Sequence, residues 1–318
     1  MNALTSSLRH TRSSGQLIWL IYGVTLMLGL LAALPFYNTL KAEDEDSLAF
    51  LNLLDGFDYT VYSDFMHRSE RAIDPLMSVG RWLGVLYLLL NLFFAGGILM
   101  RFSQPRGSFN TGLFWQACSH YVGRFLRLFG VTLLFLLAGG GIWLVAGTLV
   151  GVMLSDELTE RGLFWVGVLF FVLFALTATL LLCIGDYAKV LMFREDERNA
   201  FRAFGQAGRL VLQNIRQTYG LYWRFILIGA GLFGIYFLID EAIVMKNWPT
   251  ILIMFVVQQA LIFARAGLKV WSLGTAYTVY ATLLKPTPLT RPAPVFEPLY
   301  TQSPATEPNK DEPQSSVD

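Results

Sequence analysis

Six polar or ionisable side chains interrupt stretches that are otherwise apolar: Asn91, Asp186, Gln258, Gln259, Arg265 and Lys269. An amide at membrane depth has two uses. It can hydrogen-bond to a neighbouring helix for roughly 0.6–2 kcal/mol, or it can contact a polar solute. An ionisable group at such depth is by default a candidate for binding chemistry. Asn91, Gln258 and Gln259 are therefore intramembrane polar candidates. Arg265 lies about 25 Å along a helix from Trp248, with Lys269 one turn further, so both are expected to snorkel to the interface. Asp186 reaches the same level, and an Asp186–Arg265 ion pair joining the fourth span to the sixth is one expectation, with independent solvation the other.

Catalytic and metal chemistry lack their constellations. His10, His67 and His120 are scattered and form no HExxH pair. The run Glu43, Asp44, Glu45, Asp46 has neither the alternating spacing nor the turning glycine of an EF-hand loop. The two cysteines, Cys118 and Cys183, match no metal spacing and read as small buried apolar side chains. No cofactor, no metal and no enzymatic activity are expected.

The elements that hold these residues are transmembrane helices. Of 318 residues, 54% are hydrophobic and 15% charged, against about 25% charged in soluble domains, so the apolar residues can gather into blocks of bilayer-crossing length. Six such blocks run approximately over residues 17–34, 82–100, 126–153, 163–184, 225–243 and 249–270. The expected fold is all-α, a polytopic transmembrane bundle of six spans over residues 1–284. Residues 285–318, rich in proline, serine and threonine, read as a disordered tail. The first block is longer than a signal-peptide core and lacks a small-x-small cleavage site, so it reads as a retained span.

Charge orients the chain. The loop at 36–78 is acidic, and "SDELTERG" and "DEAIVMKNW" lean the same way, whereas the N-terminus and the segments after the second and fourth spans hold most of the arginines. By the positive-inside rule both termini are expected in the cytoplasm, with the acidic loop outside.

Two cytoplasmic segments look amphipathic, near 106–124 and 196–218. In the second, Arg202, Gln206, Arg209, Gln213 and Arg216 share one stripe at about 100° per residue, and Phe201, Phe204, Gly208, Val211 and Ile215 a broadly opposing one. The expectation is an interfacial helix whose arginines meet anionic headgroups at about 1 kcal/mol each. Acidic residues within the basic run and an apolar opposite face argue against nucleic acid. Sliding the chain by 92 residues places Arg106, Phe109 and Arg124 on Arg198, Phe201 and Arg216, which suggests a tandem repeat of span, amphipathic helix and span. Small-residue clusters, including the Gly147/Gly151 pair and "GAGLFG", are expected to let helices approach closely. The sixth helix continues an apolar stripe to Leu284, either as an extension against the amphipathic helices or with a bend near Gly267 or Gly274.

At "CIGDYAKVLMFREDERNAFRAFGQAGR", where Asp186, Tyr187 and Ala188 close a span before the amphipathic segment, the chain resembles a group of bacterial six-span membrane proteins. It is similar in organisation to the membrane domain attached to some bacterial glycerophosphodiester phosphodiesterases. The resemblance implies a bacterial inner-membrane location and carries over no catalytic residue. The leading functional expectation is a scaffold or accessory protein. Its cytoplasmic surface, bearing Arg124, Arg127, Arg202, Arg209 and Arg216, would dock anionic lipid or a protein partner. The alternative is a small-solute transporter or permease-like protein, which a polar cavity between the helices would favour over a solid core.

Overall fold

The computed structural model describes residues 14–44, 70–104, 109–243 and 247–283, with isolated positions at 5, 7–9, 11, 59–60 and 63. The acidic stretch at 45–58, Arg106, His67 and the tail at 285–318 lie outside the described residues. Among the described residues seven extended helices follow one another: α1 (Gly15–Asp44), α2 (Glu70–Ser103), α3 (Thr111–Met153), α4 (Glu160–Glu195), α5 (Ala200–Gln213), α6 (Ile215–Ala242) and α7 (Trp248–Leu283). No strand occurs among the described residues. All but α5 are long and apolar enough to cross a membrane, so the chain is a multi-pass membrane protein.

The helices overrun the expected spans. At 1.5 Å per residue α3, with 43 residues, is about 64 Å long, and α4 and α7, with 36 each, about 54 Å, against a hydrocarbon core of about 30 Å. α1 continues through Pro35 to Asp44 and α2 begins at Glu70, so the expected outer loop is shorter than 36–78.

Packing is concentrated at one end. The buried cluster takes Leu17 and Ile21 from α1, Phe94–Phe102 from α2, Phe114–Val131 from α3, Cys183–Phe193 from α4, Ala203–Val211 from α5 and Val270–Tyr280 from α7. These are the ends that carry the arginines. The opposite halves expose Leu133, Leu137 and Leu144 on α3, Phe164 and Phe171 on α4, Phe237 on α6 and Phe255 on α7. Acyl chains are as apolar as leucine, so helix halves in hydrocarbon gain little from burying one another. The compact end is the part that must exclude water.

Close approach there depends on glycines other than the expected ones. A Cβ on Gly96 would lie 2.9 Å from the backbone carbonyl oxygen of Ala117, and one on Gly97 would lie 2.2 Å from the Phe114 ring, which fixes how nearly α2 and α3 touch. On Gly274 it would lie 2.1 Å from Phe102, so α7 receives that ring in a notch. Gly147 meets Phe170 more loosely, and Gly151 has open space around it. α7 runs unbroken through Gly267 and Gly274, packing on α1, α2, α4 and α6 rather than on α5.

The two amphipathic segments part company. Only α5 is a separate helix. The first segment merges into α3, which starts at the Asn110 cap and continues without a break into the span. The helix starts do not follow the expected 92-residue offset, and at the spacing they show Arg106, Phe109 and Arg124 no longer fall on Arg198, Phe201 and Arg216. Asn110 caps α3 and Asn199 caps α5, 89 positions apart rather than 92, and this spacing also superposes Gly96 on Gly185.

Replacing Gly96 with valine is expected to push α3 away from α2 and to cost about 1–3 kcal/mol, read as a fall in the apparent melting temperature in mild detergent. Gly141→Ala, with open space around it, should leave that temperature unchanged. Equal melting of both variants with the parent would remove the Gly96 contact as a stabilising feature.

Candidate functional site

At the boundary between the compact end and the lipid-exposed halves, five helices enclose a chamber of about 260 Å³. That is space for about eight waters at roughly 30 Å³ each. Its wall combines Asn91 of α2, Thr132 of α3, Asp186 and Lys189 of α4, Tyr222 of α6, and Lys269 and Ser272 of α7 with apolar residues that include Leu88, Phe129 and Leu182.

Helical spacing puts Asp186 and Lys189 on one face of α4, three residues apart, and Lys189 Nζ donates to Asp186 Oδ1 at 2.7 Å. Lys269 Nζ donates to the Asn91 backbone carbonyl at 3.0 Å and also to Asn91 Oδ1. The Asn91 side-chain nitrogen in turn donates to the Tyr87 carbonyl at 2.8 Å, which orients the amide oxygen toward the lysine. Thr132, buried and hydrogen-bonded to the Leu128 carbonyl at 2.9 Å, lies against Gly185, where a Cβ would come within 3.2 Å of its hydroxyl. Two ammonium groups face one carboxylate, and among the described residues no carboxylate pairs with Lys269. With both lysines protonated the chamber carries one net positive charge in surroundings where an uncompensated charge is costly.

Two of the expected polar candidates, Asn91 and Asp186, thus meet in one site. The rest do not join them. Gln259 accepts from the Tyr22 hydroxyl at 3.0 Å and Gln258 donates to the Tyr236 hydroxyl at 3.3 Å, so both amides join helices. The expected Asp186–Arg265 pair does not form: Asp186 takes Lys189, and Arg265 stands 5.4 Å from the centre of the Phe233 ring. Lys189, Thr132, Tyr222 and Ser272 were not legible as site residues, and Lys269 read as a snorkelling cation. The i,i+3 pair in "GDYAK" was the available signal. Cys118 and Cys183 are buried free thiols, as expected.

The arginines divide similarly. Arg127, Arg202, Arg209 and Arg216 are exposed, with Arg202 only loosely held by Glu197 at 3.9 Å. Arg127 and Arg198 flank an open depression of about 650 Å³ between α3 and the start of α5. Arg124 is no surface group. It is largely buried, pairs with Asp196 and lies 5.4 Å from the Tyr121 ring centre. The apolar side of α5 docks on protein: Ala203, Phe204, Ala207 and Val211 are buried, and Phe204 stacks on Phe135 at 4.9 Å. Phe201 and Ile215, expected on that side, are exposed.

The turn before α5 is built for this docking. Asp196 ends α4 in the left-handed region at φ 53°. Glu197 Oε1 accepts from the amides of Arg198 and Asn199, and Asn199 Oδ1 accepts from Phe201 and Arg202. The Arg124 hydrogen bond, first, and its charge hold the Asp196 carboxyl below its ordinary value against a smaller opposing effect of burial.

Compared with protein-family models, curated proteins and solved structures, the chain matches none.

A carboxyl whose folded pKa is depressed stabilises the fold above its unfolded pKa, about 3.9, and that contribution is lost as pH falls through the lower folded value. Between neutrality and pH 5 the Arg124–Asp196 pair should therefore keep its contribution, and below about pH 4 it should fade. Asp196→Asn is expected to lower the melting temperature at pH 7 and to shrink the difference from the parent at pH 3. A difference that stays constant with pH would mean that the carboxylate charge is not what holds the turn.

Proposed function

We propose that this protein is a non-enzymatic, multi-pass protein of the bacterial inner membrane that binds an anionic ligand in the polar chamber, in the manner of a transporter or permease rather than of a passive scaffold. The observation that carries the reading is the Lys269 ammonium, held by Asn91 and facing the chamber without a carboxylate partner. A buried polar group is satisfied or awaits a partner, and a phosphate or carboxylate would supply both charge and acceptors. The arginine-rich end, with both termini, belongs in the cytoplasm by the same charge asymmetry that orients other membrane proteins. Parallel duplication of span and cytoplasmic segment is compatible with a transport fold.

A docking role keeps one specific support: Arg202, Arg209 and Arg216 stand exposed on α5 and the start of α6, where they could meet anionic headgroups or an acidic partner.

The two readings separate by ligand-induced stabilisation in mild detergent. Phosphate, glycerol 3-phosphate and phosphatidylglycerol are the probes, and a ligand at a hundred times its Kd stabilises by about 2.7 kcal/mol. At least one anion is expected to raise the melting temperature of the parent and of an Arg202/Arg209/Arg216 to glutamate variant, but not that of Lys269→Met. Stabilisation lost in the arginine variant and kept in Lys269→Met would favour the docking surface. No response to any anion would end the chamber reading.

A further inference from the structure

The chamber has a mouth, and its position along the helices says what enters. Leu88 on α2 and Leu182 on α4 line the chamber about one turn outward of Asn91 and Asp186, and both are exposed, at 39% and 43%. They continue directly into the outer halves, where Leu86, Tyr87 and Leu89 on α2 and Leu176 on α4 are also exposed. The polar wall is therefore open toward the surface that faces acyl chains.

The depth agrees. Exposed tryptophans mark the outer ends of two helices, Trp165 on α4 and Trp248 on α7, the kind of residue that settles at a membrane–water boundary. Asp186 follows Trp165, and Lys269 follows Trp248, by twenty-one positions each, about 31 Å of helix against a hydrocarbon core of about 30 Å. Both charged residues thus stand at the opposite boundary, at headgroup level. α2 does not share this register, since Arg81 and Trp82 are exposed only ten and nine positions outward of Asn91. Beyond the chamber, however, its residues from Leu92 to Phe102 are mostly buried in protein, so their apolar character serves the core rather than the lipid.

Resting on the anion-binding reading above, we propose that the ligand is a phospholipid of the inner leaflet. Its phosphodiester would sit between Lys269 and Lys189, and its acyl chains would leave past Leu88 and Leu182 into the bilayer. Charge selects the class. With both lysines protonated, the chamber's net positive charge would be neutralised by a headgroup with one net negative charge, such as phosphatidylglycerol. A zwitterionic phosphatidylcholine would bring an ammonium that the site does not need, in a space of about 260 Å³. Asn91, Thr132, Tyr222 and Ser272 offer hydrogen-bonding side chains around the same space for headgroup hydroxyls. A water-soluble phosphate shares the anion chemistry but has no use for the apolar mouth.

The test is native mass spectrometry of the full chain released from nanodiscs of equal phosphatidylglycerol and phosphatidylcholine, alongside calorimetric titration with glycerol 3-phosphate. Phosphatidylglycerol is expected to be retained about tenfold over phosphatidylcholine, equivalent to 1.4 kcal/mol. Lys269→Met should abolish that preference. Leu88→Trp and Leu182→Trp, which fill the apolar mouth and change no charge, should abolish it too, and they carry the test if Lys269→Met does not fold. Glycerol 3-phosphate binding without lipid retention would overturn the lipid assignment and leave the anion site standing. Absence of both would overturn the site as well. Equal retention by the parent and the tryptophan variants would show an ordinary boundary lipid and overturn the proposal.

Discussion

The architecture depends on how nearly α2 and α3 approach at the compact end. Gly96 and Gly97 let the α2 backbone meet Ala117, Cys118 and the Phe114 ring, at separations that any side chain would prevent. That approach sets the spacing of the first helix pair, and the Gly274 notch for Phe102 brings α7 to the same level. Gly185 against Thr132 does the same for α4 and α3. The helices are therefore drawn together beyond the chamber and left apart on its other side, where lipid rather than protein satisfies their surfaces. The chamber lies where tight packing gives way to solvation by acyl chains.

This placement explains why polar groups are tolerated there. Lys269 at an isolated position in hydrocarbon would be costly, yet here it has two oxygens of Asn91 as acceptors. Lys189 has Asp186. Under the anion-binding proposal the bundle need not first rearrange, and preorganisation of that kind lessens the ordering cost of binding.

The link from α4 to α6 and the link from α2 into α3 begin alike and end differently. Both α3 and α5 open on a capping asparagine, Asn110 and Asn199. Asn214 then ends α5, with its amide bonded to the Leu210 and Val211 carbonyls, and Thr218 ties the next helix back to Val211. The position 89 residues earlier is Phe125, which continues the helix and is fully buried. Arg124 beside it, rather than reaching lipid, anchors the α4–α5 turn through Asp196. α5 thus closes at Asn214 as a separate docked helix, whereas α3 continues as a 43-residue rod.

Six apolar helices and the segregation of arginines to one end were legible in the amino-acid order, because hydropathy and charge are local sums over contiguous residues. So was a helix within 196–218, whose arginine stripe needs only the 3.6-residue period, but not its Asn199 cap or its end at Asn214. What the apolar side of that helix packs against was not legible. Phe204 and Val211 look alike whether they meet lipid or α3 and α4, and the choice was made by Phe135 and Ile184 from elsewhere in the chain. The chamber was legible only in fragments. Asn91 and Asp186 stand out as polar residues in apolar runs, and Lys189 lies on the same helix face three positions from Asp186, but the partner of Asn91, Lys269, depends on which helix faces come together. Lys269 lies 178 positions from Asn91, and no periodicity within either segment encodes that pairing. Only the close approach of α2, α4 and α7 brings the charges to one cavity, and long-range steric fit at a few glycines decides that approach.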